Sequence, residues 1–305
     1  MSEPGAYAPK RRSRAAWSER RQLAAMLAPY ALGAVVLFAI PAVLSFVLAF
    51  TDADLVTPPE FIGTGNFERM AKDTVFGDVL WHTAAFVALV VPIRLLVATG
   101  LALLLHARFR GAGSGRTAAF LPTVVPDAAA ALVWLFVFNP LYGPMNALLG
   151  VAGVGPVSWF SDADAAFAVI VIALAFTMGE SFVVALATRQ ELPEDLYAIA
   201  RLEGASPWYV ARKVTLPLMS PVLALLAIRD VAVVLQLSFS FTYLLTDGGP
   251  DRATLFLPIY AFDVGFEGLQ YGYATAITLL MFTGCLGLAF LQWRIVRRWR
   301  LGLGA

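Results

Sequence analysis

The chain has one cysteine and two histidines in 305 residues, and charged side chains make up only 14% of it. A lone Cys285 excludes an internal disulfide framework. His82 and His106 stand in no HxxxH spacing, so a hydrolase-type zinc centre has no ligand set, and a membrane enzyme built on one is disfavoured. The formal net charge of +1 leaves no broad basic or acidic field of the kind that holds nucleic acid. The run RGAGSGRT at 110–117 lacks the glycine spacing of a phosphate-binding loop and carries Arg116 where that loop needs lysine. It is read as a basic turn, and no nucleotide site is recognisable.

Apolar residues are what the chain has in excess, at 59%. That is far above the usage of a soluble domain. A helix needs ~20 apolar residues to cross the hydrocarbon layer. Six segments qualify, at about 23–50, 79–105, 118–138, 165–187, 218–245 and 271–295. The first is too long for the apolar core of a secretory signal and is read as retained. The expected class is therefore an all-α membrane protein with six transmembrane helices.

Orientation follows from lysine and arginine. Lys10, Arg11, Arg12, Arg14, Arg20 and Arg21 fall in 1–22; more cluster in 106–116, in 188–217 and from Arg294 onward. On the other side fall only Arg69, Lys72 and Arg252, while Arg94 and Arg229 lie inside crossings. The positive-inside bias places both termini and 188–217 in the cytoplasm. Residues 1–22 form a basic tail beside anionic lipid, 23–296 the membrane domain and 297–305 a second short tail.

One charged island interrupts the apolar pattern, Glu191–Met219. Its grammar is helix, turn, helix. Pro193 suits a helix start, Glu194 and Asp195 favour the positive helix end, and Leu196, Ile199 and Ala200 share a face. Gly204 suits a left-handed stop and Ser206-Pro207 a new start, with a break expected at Pro217. Taken alone, this is an amphipathic hairpin on a membrane face.

Within the fifth crossing, Arg229, Gln236, Ser240 and Tyr243 fall at i, i+7, i+11 and i+14, on one face within about 60°. A charge at mid-bilayer costs ~2.5–3.5 kcal/mol on translocon scales, so such a stripe faces a bundle interior or a watery path. Arg94, Asp127 and Asp230 join it as candidate path residues. The competing reading makes Arg229 a structural clamp paired with Asp127 or Asp230. A secondary transporter would instead use Arg94, Asp127, Glu180, Arg229 and Asp230 as ion relays.

The spacing of the island carries a resemblance. Ala198-Ile199-Ala200, three residues, Gly204, nine residues and Val214-Thr215-Leu216-Pro217 resembles the coupling loop of ABC importer permeases, whose pattern is Glu-Ala-Ala, x3, Gly, x9, Ile-x-Leu-Pro. Ala198 stands where that pattern has glutamate. Phe61-Ile62-Gly63-Thr64-Gly65-Asn66-Phe67, the run from Phe138-Asn139-Pro140 to Asn146, Leu245-Thr246-Asp247-Gly248-Gly249-Pro250 and Tyr271-Gly272-Tyr273-Ala274 are similar to signatures of the first permease subunit of carbohydrate importers, the class of the large maltose permease subunit. The resemblance implies the type I ABC importer permease fold in a prokaryotic cell membrane. It implies a second permease subunit, two ATP-binding subunits that hold ATP and magnesium, and an extracytoplasmic solute-binding protein. A sugar or sugar derivative would be the solute, with amino acids or phosphodiesters as the alternatives. No covalent chemistry and no cofactor are expected in this chain. Ala198, Ala200, Glu203, Gly204, Ala205, Leu216 and Pro217 would meet the ATPase.

Overall fold

The computed structural model describes the backbone of residues 13–54, 56–107 and 109–302, and the side chains of 21–294 within them. Lys10, Arg11, Arg12 and Arg108 lie outside the described residues, as do the side chains of Arg14, Arg20, Arg297, Arg298 and Arg300. The described architecture is helical, with one isolated bridge between Thr51 and Phe61. Helix α1 (Ser13–Ala34) begins inside the stretch expected as a tail and runs through a π turn into α2 (Ile40–Leu48). A loop carrying α3 (Gly65–Lys72) leads to α4 (Thr74–Leu105). Then come α5 (Ala112–Phe120), α6 (Asp127–Val137), α7 (Pro144–Val151), α8 (Ala163–Phe176) and α9 (Gly179–Glu191). The charged island forms α10 (Glu194–Leu202) and α11 (Pro207–Val210), which continues through a π turn, Ala211–Thr215, into α12 (Leu216–Leu245). Helices α13 (Leu257–Phe262) and α14 (Tyr271–Gly302) complete the chain.

Four continuous helical runs are long and apolar enough to cross a membrane: Arg21–Leu48, Thr74–Leu105, Pro207–Leu245 and Tyr271–Arg294. The third and fourth expected crossings are not single helices. Ala112–Val124 and Asp127–Val137 meet at 105°, and Ala163–Phe176 and Gly179–Glu191 at 43°. The first break has a local cause. Pro126 drives the residue before it out of the helical region, and Val125 sits at φ −75°, ψ 130°. The expected break at Pro217 is absent: the π turn just before it widens the ladder, with Leu216 N donating to Ala211 O, so the donor this proline lacks falls at the change of register.

Lipid tails are as apolar as leucine, so helices in a bilayer associate by close packing and polar contacts. Small residues permit that closeness here. Ala98 and Ala102 of α4 and Ala185 of α9 are fully covered in one cluster with Met178, Phe182 and Met219. A second cluster joins Phe86 and Val90 of α4, Ile170 and Leu174 of α8, and Val234 and Phe241 of α12. A third seats α14, through Tyr273 and Ile277, against Met70, Val79 and Ile259. Gly179 lets α9 approach the end of α5: a Cβ there would lie 2.2 Å from Thr123 Oγ1. The run Arg21–Leu48, by contrast, has none of its apolar window buried.

The four loop signatures are structural clips. Asn66 donates to Ala49 O and Thr51 O at 2.9 and 2.8 Å, while Gly272 N donates to Ala53 O at 3.0 Å, so the 61–67 and 271–274 motifs meet on the same stretch, 49–53. A Cβ on Gly272 would lie 2.1 Å from Thr51 O. Asn146 bridges Pro140 O, Val157 and the Trp159 indole N–H. Thr246 and Thr254 join hydroxyls at 2.7 Å across the Asp247–Pro250 turn.

Candidate functional site: an ionic centre and a helical hairpin

The ionic residues of the crossings gather at the break between α8 and α9. Where α8 ends, its last carbonyls lose their intrahelical donors. Arg94, on α4, supplies replacements. Its Nη1 donates to Leu174 O at 2.5 Å and to Thr177 Oγ1 at 2.6 Å, and its Nη2 donates to Thr177 O at 3.1 Å. A cation at the negative end of a helix is favourable, and Arg94 adds to the bonds that Thr177 N and Oγ1 give Leu174 O at this break. Its Nε faces Asp230 Oδ2 of α12 at 3.4 Å, with side chains 1% and 0% exposed.

Asp230 is shared. Its Oδ1 accepts from Ser181 Oγ at 2.8 Å and from Arg229 Nη1 at 3.2 Å. Arg229 also donates to Ser181 Oγ and pairs with Glu180 of α9. Two arginines and two carboxylates thus neutralise one another across α4, α9 and α12. The inner pair is sealed, whereas Arg229 is 37% and Glu180 53% exposed.

Of the sequence-predicted path residues, Arg94, Arg229 and Asp230 come together. Asp127 does not: it is the first residue of α6, half-buried, and joins no ion pair or hydrogen bond among the described residues. Of the two clamp partners named for Arg229, Asp230 is the one it meets and Asp127 is not, and Glu180 is a further partner on the open side. Gln236 is exposed, Ser240 half-buried and Tyr243 44% exposed. They share the face of α12 opposite the buried row of Leu226, Val234, Phe241 and Leu245. Tyr243 stacks on Phe239 at 5.7 Å and meets Phe262 edge-on at 5.5 Å. Ser181, Thr177 and Glu180 are the members that sequence reasoning left out of the path list.

The hairpin follows its expected turns. Gly204 has φ +72°, with Ala205 N donating to Ala200 O at 2.9 Å, and Ser206 caps α11 by accepting from Tyr209 N at 3.2 Å. Pro193 precedes α10 as its cap residue. Ala198, Glu203 and Gly204 are exposed, Ala200, Ala205 and Leu216 half-buried, and Pro217 exposed. Apolar residues of the hairpin are exposed: Ile199 58%, Leu202 87% and Trp208 72%. Arg116, in the turn between α4 and α5, donates to Leu105 O at 2.9 Å and His106 O at 3.2 Å, capping α4 rather than binding phosphate.

The described chain is thus a helical membrane protein with a neutralised ionic centre, a half-open polar face and an exposed hairpin. The chain belongs to the family of binding-protein-dependent transport system inner membrane components, whose model matches residues 95–301. It is 32% identical to the trehalose/maltose transport system permease protein MalF of Thermococcus litoralis, over 81% of this chain and 83% of that one. It is 30% identical to the sn-glycerol-3-phosphate transport system permease protein UgpA of Yersinia pestis, over 78% and 81%. A bacterial ABC transporter that imports the acidic polysaccharide alginate has a chain of the same fold, with TM-score 0.81, 20% identity, and coverage of 93% of this chain and 99% of that one. Membership of this family removes the secondary-transporter alternative.

Proposed function

We propose that this chain forms the solute path of an ATP-driven importer for a neutral sugar or sugar derivative. The observation that carries the solute class is the charge balance: Arg94 and Arg229 are each already matched by a carboxylate. An anionic solute binding Arg94 would have to displace Asp230, and breaking that buried pair costs ~3–5 kcal/mol, whereas the exposed Arg229–Glu180 pair only lowers the net charge the solute meets. Of the two relatives, the one named for trehalose and maltose fits that balance better than the one named for a phosphate ester.

With each bent pair taken as one crossing, six crossings return the chain to its starting side. The arginine distribution makes that side the cytoplasm. The hairpin then projects where an ATP-binding subunit docks, presenting Ile199, Leu202 and Trp208 around Gly204. Closure of two such subunits would draw this hairpin toward that of a second permease subunit and turn the cavity outward, where a solute-binding protein delivers its cargo. ATP and magnesium belong to those subunits. Arg229, Gln236, Ser240 and Tyr243 would offer the passing solute hydrogen bonds and an aromatic edge, with Arg94 and Asp230 holding the wall behind them.

The test is uptake into proteoliposomes holding the complete complex with its binding protein. ATP-dependent accumulation of trehalose or maltose, and none of sn-glycerol 3-phosphate, is expected. Accumulation of the phosphate ester alone, or uptake without ATP, would overturn the proposal.

A further inference from the structure

Resting on the docking reading above, we infer that Arg189, Tyr197 and Thr215 form a clasp that makes the hairpin move as one body with α9 and α12. A docking element passes motion to the membrane only where it is attached. Tyr197 is the one buried residue among those of α10, and Thr215 the one buried residue of the π turn Ala211–Thr215. These two meet: Tyr197 Oη lies 3.1 Å from Thr215 Oγ1. Over the face of the ring, the Arg189 guanidinium sits 4.0 Å from the centroid. Arg189 belongs to the last turn of α9 and is 7% exposed. One tyrosine is therefore gripped by both helices that flank the hairpin.

The partners suit the task. A guanidinium over an aromatic face is worth more as the site loses water, and Arg189 is nearly covered. Thr215 Oγ1 is also 3.4 Å from Val210 O, the carbonyl five residues back, so the hydroxyl that holds Tyr197 reinforces the wide turn as well. Single π turns inside α-helices are frequent at functional sites. Tying the hairpin to that turn joins its displacement to α12, the helix that carries Arg229 and Asp230.

Spin labels at Leu202 on the hairpin tip and Leu225 on α12, both exposed, report the attachment in the purified complex with and without its ATP-binding subunits. In the unsubstituted chain the distance distribution is expected to stay narrow through ATP binding. Tyr197→Phe and Thr215→Val should each raise the detached population by about threefold to tenfold, the range that one hydrogen bond supports. Thr215→Ser, which keeps the hydroxyl, should restore the narrow distribution. An unchanged distribution in both Tyr197→Phe and Thr215→Val would overturn the clasp. The docking reading fails separately: the Leu202 label would then show no loss of mobility when the ATP-binding subunits are added.

Discussion

Arg94 and Asp230 stand 136 residues apart in sequence and face each other at 3.4 Å with both side chains all but sealed from the surface. The pair joins α4 to α12 while the other arm of Arg94 holds the end of α8. Removing one partner strands a charge in a medium of low dielectric, at ~3–5 kcal/mol. Arg94→Ala and Asp230→Ala should each sharply reduce folded protein in the membrane, measured as detergent-extractable monodisperse complex. A double change to Arg94→Met and Asp230→Leu should recover part of that yield, since no lone charge remains. Normal yield in both single variants would show that the centre bears no structural load.

Gly204 occupies φ +72° with open space around the position of a Cβ. A side chain there meets no neighbour, so the penalty is purely that of a left-handed backbone, ~1–2 kcal/mol. Gly204→Val is expected to insert normally and to lose transport, because the turn that presents Ile199 and Leu202 is re-angled. Uptake and ATPase co-purification equal to those of the unsubstituted complex would count against the hairpin as the docking element.

Ala198 is exposed on the same hairpin, at the position where the coupling pattern carries glutamate. An exposed ion pair contributes ~0–1 kcal/mol. Ala198→Glu should therefore strengthen the hold on the ATP-binding subunit by no more than about fivefold, or leave it unchanged, as read by titration of the ATPase onto the purified permease. Clear weakening with the fold intact would mean that the facing socket is not built for a carboxylate.

Two carboxylates outside the crossings shift in opposite directions. Burial, then the charges of Glu267 and Asp247, push Asp263 up to about 6. Burial also pushes Asp73 up, but the hydroxyls of Tyr260 and Tyr273 and the N–H groups of Phe76 and Val75 outweigh it, leaving that carboxyl below its ordinary value. A raised folded-state value means that the charged form is the unfavourable one. Destabilisation from Asp263 is thus fully present above pH 6 and is relieved as pH falls from there toward 4, while the contribution of Asp73 is lost only below the ordinary carboxylate range. Thermal stability of the complex should rise on going from pH 7.5 to 5.5, and Asp263→Asn should flatten that rise. A rise of the same size in Asp263→Asn would assign it to other groups.

Hydropathy and spacing carried much of this molecule, and the failures are specific. The crossings were legible because apolar length is a property of local sequence. The 105° bend was not read, although Val125-Pro126 announces it, because a count of apolar residues is blind to direction. The 43° bend has no such mark, since no proline sits between Phe176 and Gly179; the carbonyls it frees are met in part by Arg94, which lies far earlier in the chain. Gly204 and Ser206 were readable from turn chemistry. The burial of α10 was not read: Leu196 and Ile199 share a face, yet Tyr197 is the residue inside, held by Thr215 and Arg189, partners that lie outside α10.

The open face of α12 gives the last prediction. Gln236 and Ser240 lie between the Arg229–Glu180 pair and the Tyr243 ring, and among the described residues no side chain of this chain hydrogen-bonds to either. A polar amide facing lipid costs ~2–7 kcal/mol if nothing replaces water, so this face must meet water, solute or another subunit. Water and solute predict access that changes with the transport cycle; a dry subunit interface predicts none. With Cys285→Ser as the background, Gln236→Cys and Ser240→Cys should react with a water-soluble thiol reagent, faster in one of the ATP-free and ATP-trapped states than in the other. Gln236→Ala and Tyr243→Phe should alter uptake rate or solute preference at normal expression, which loss of a structural contact would not do. Cysteines that remain inert in both states of a working transporter would move this face to the subunit interface and place the solute path on another helix.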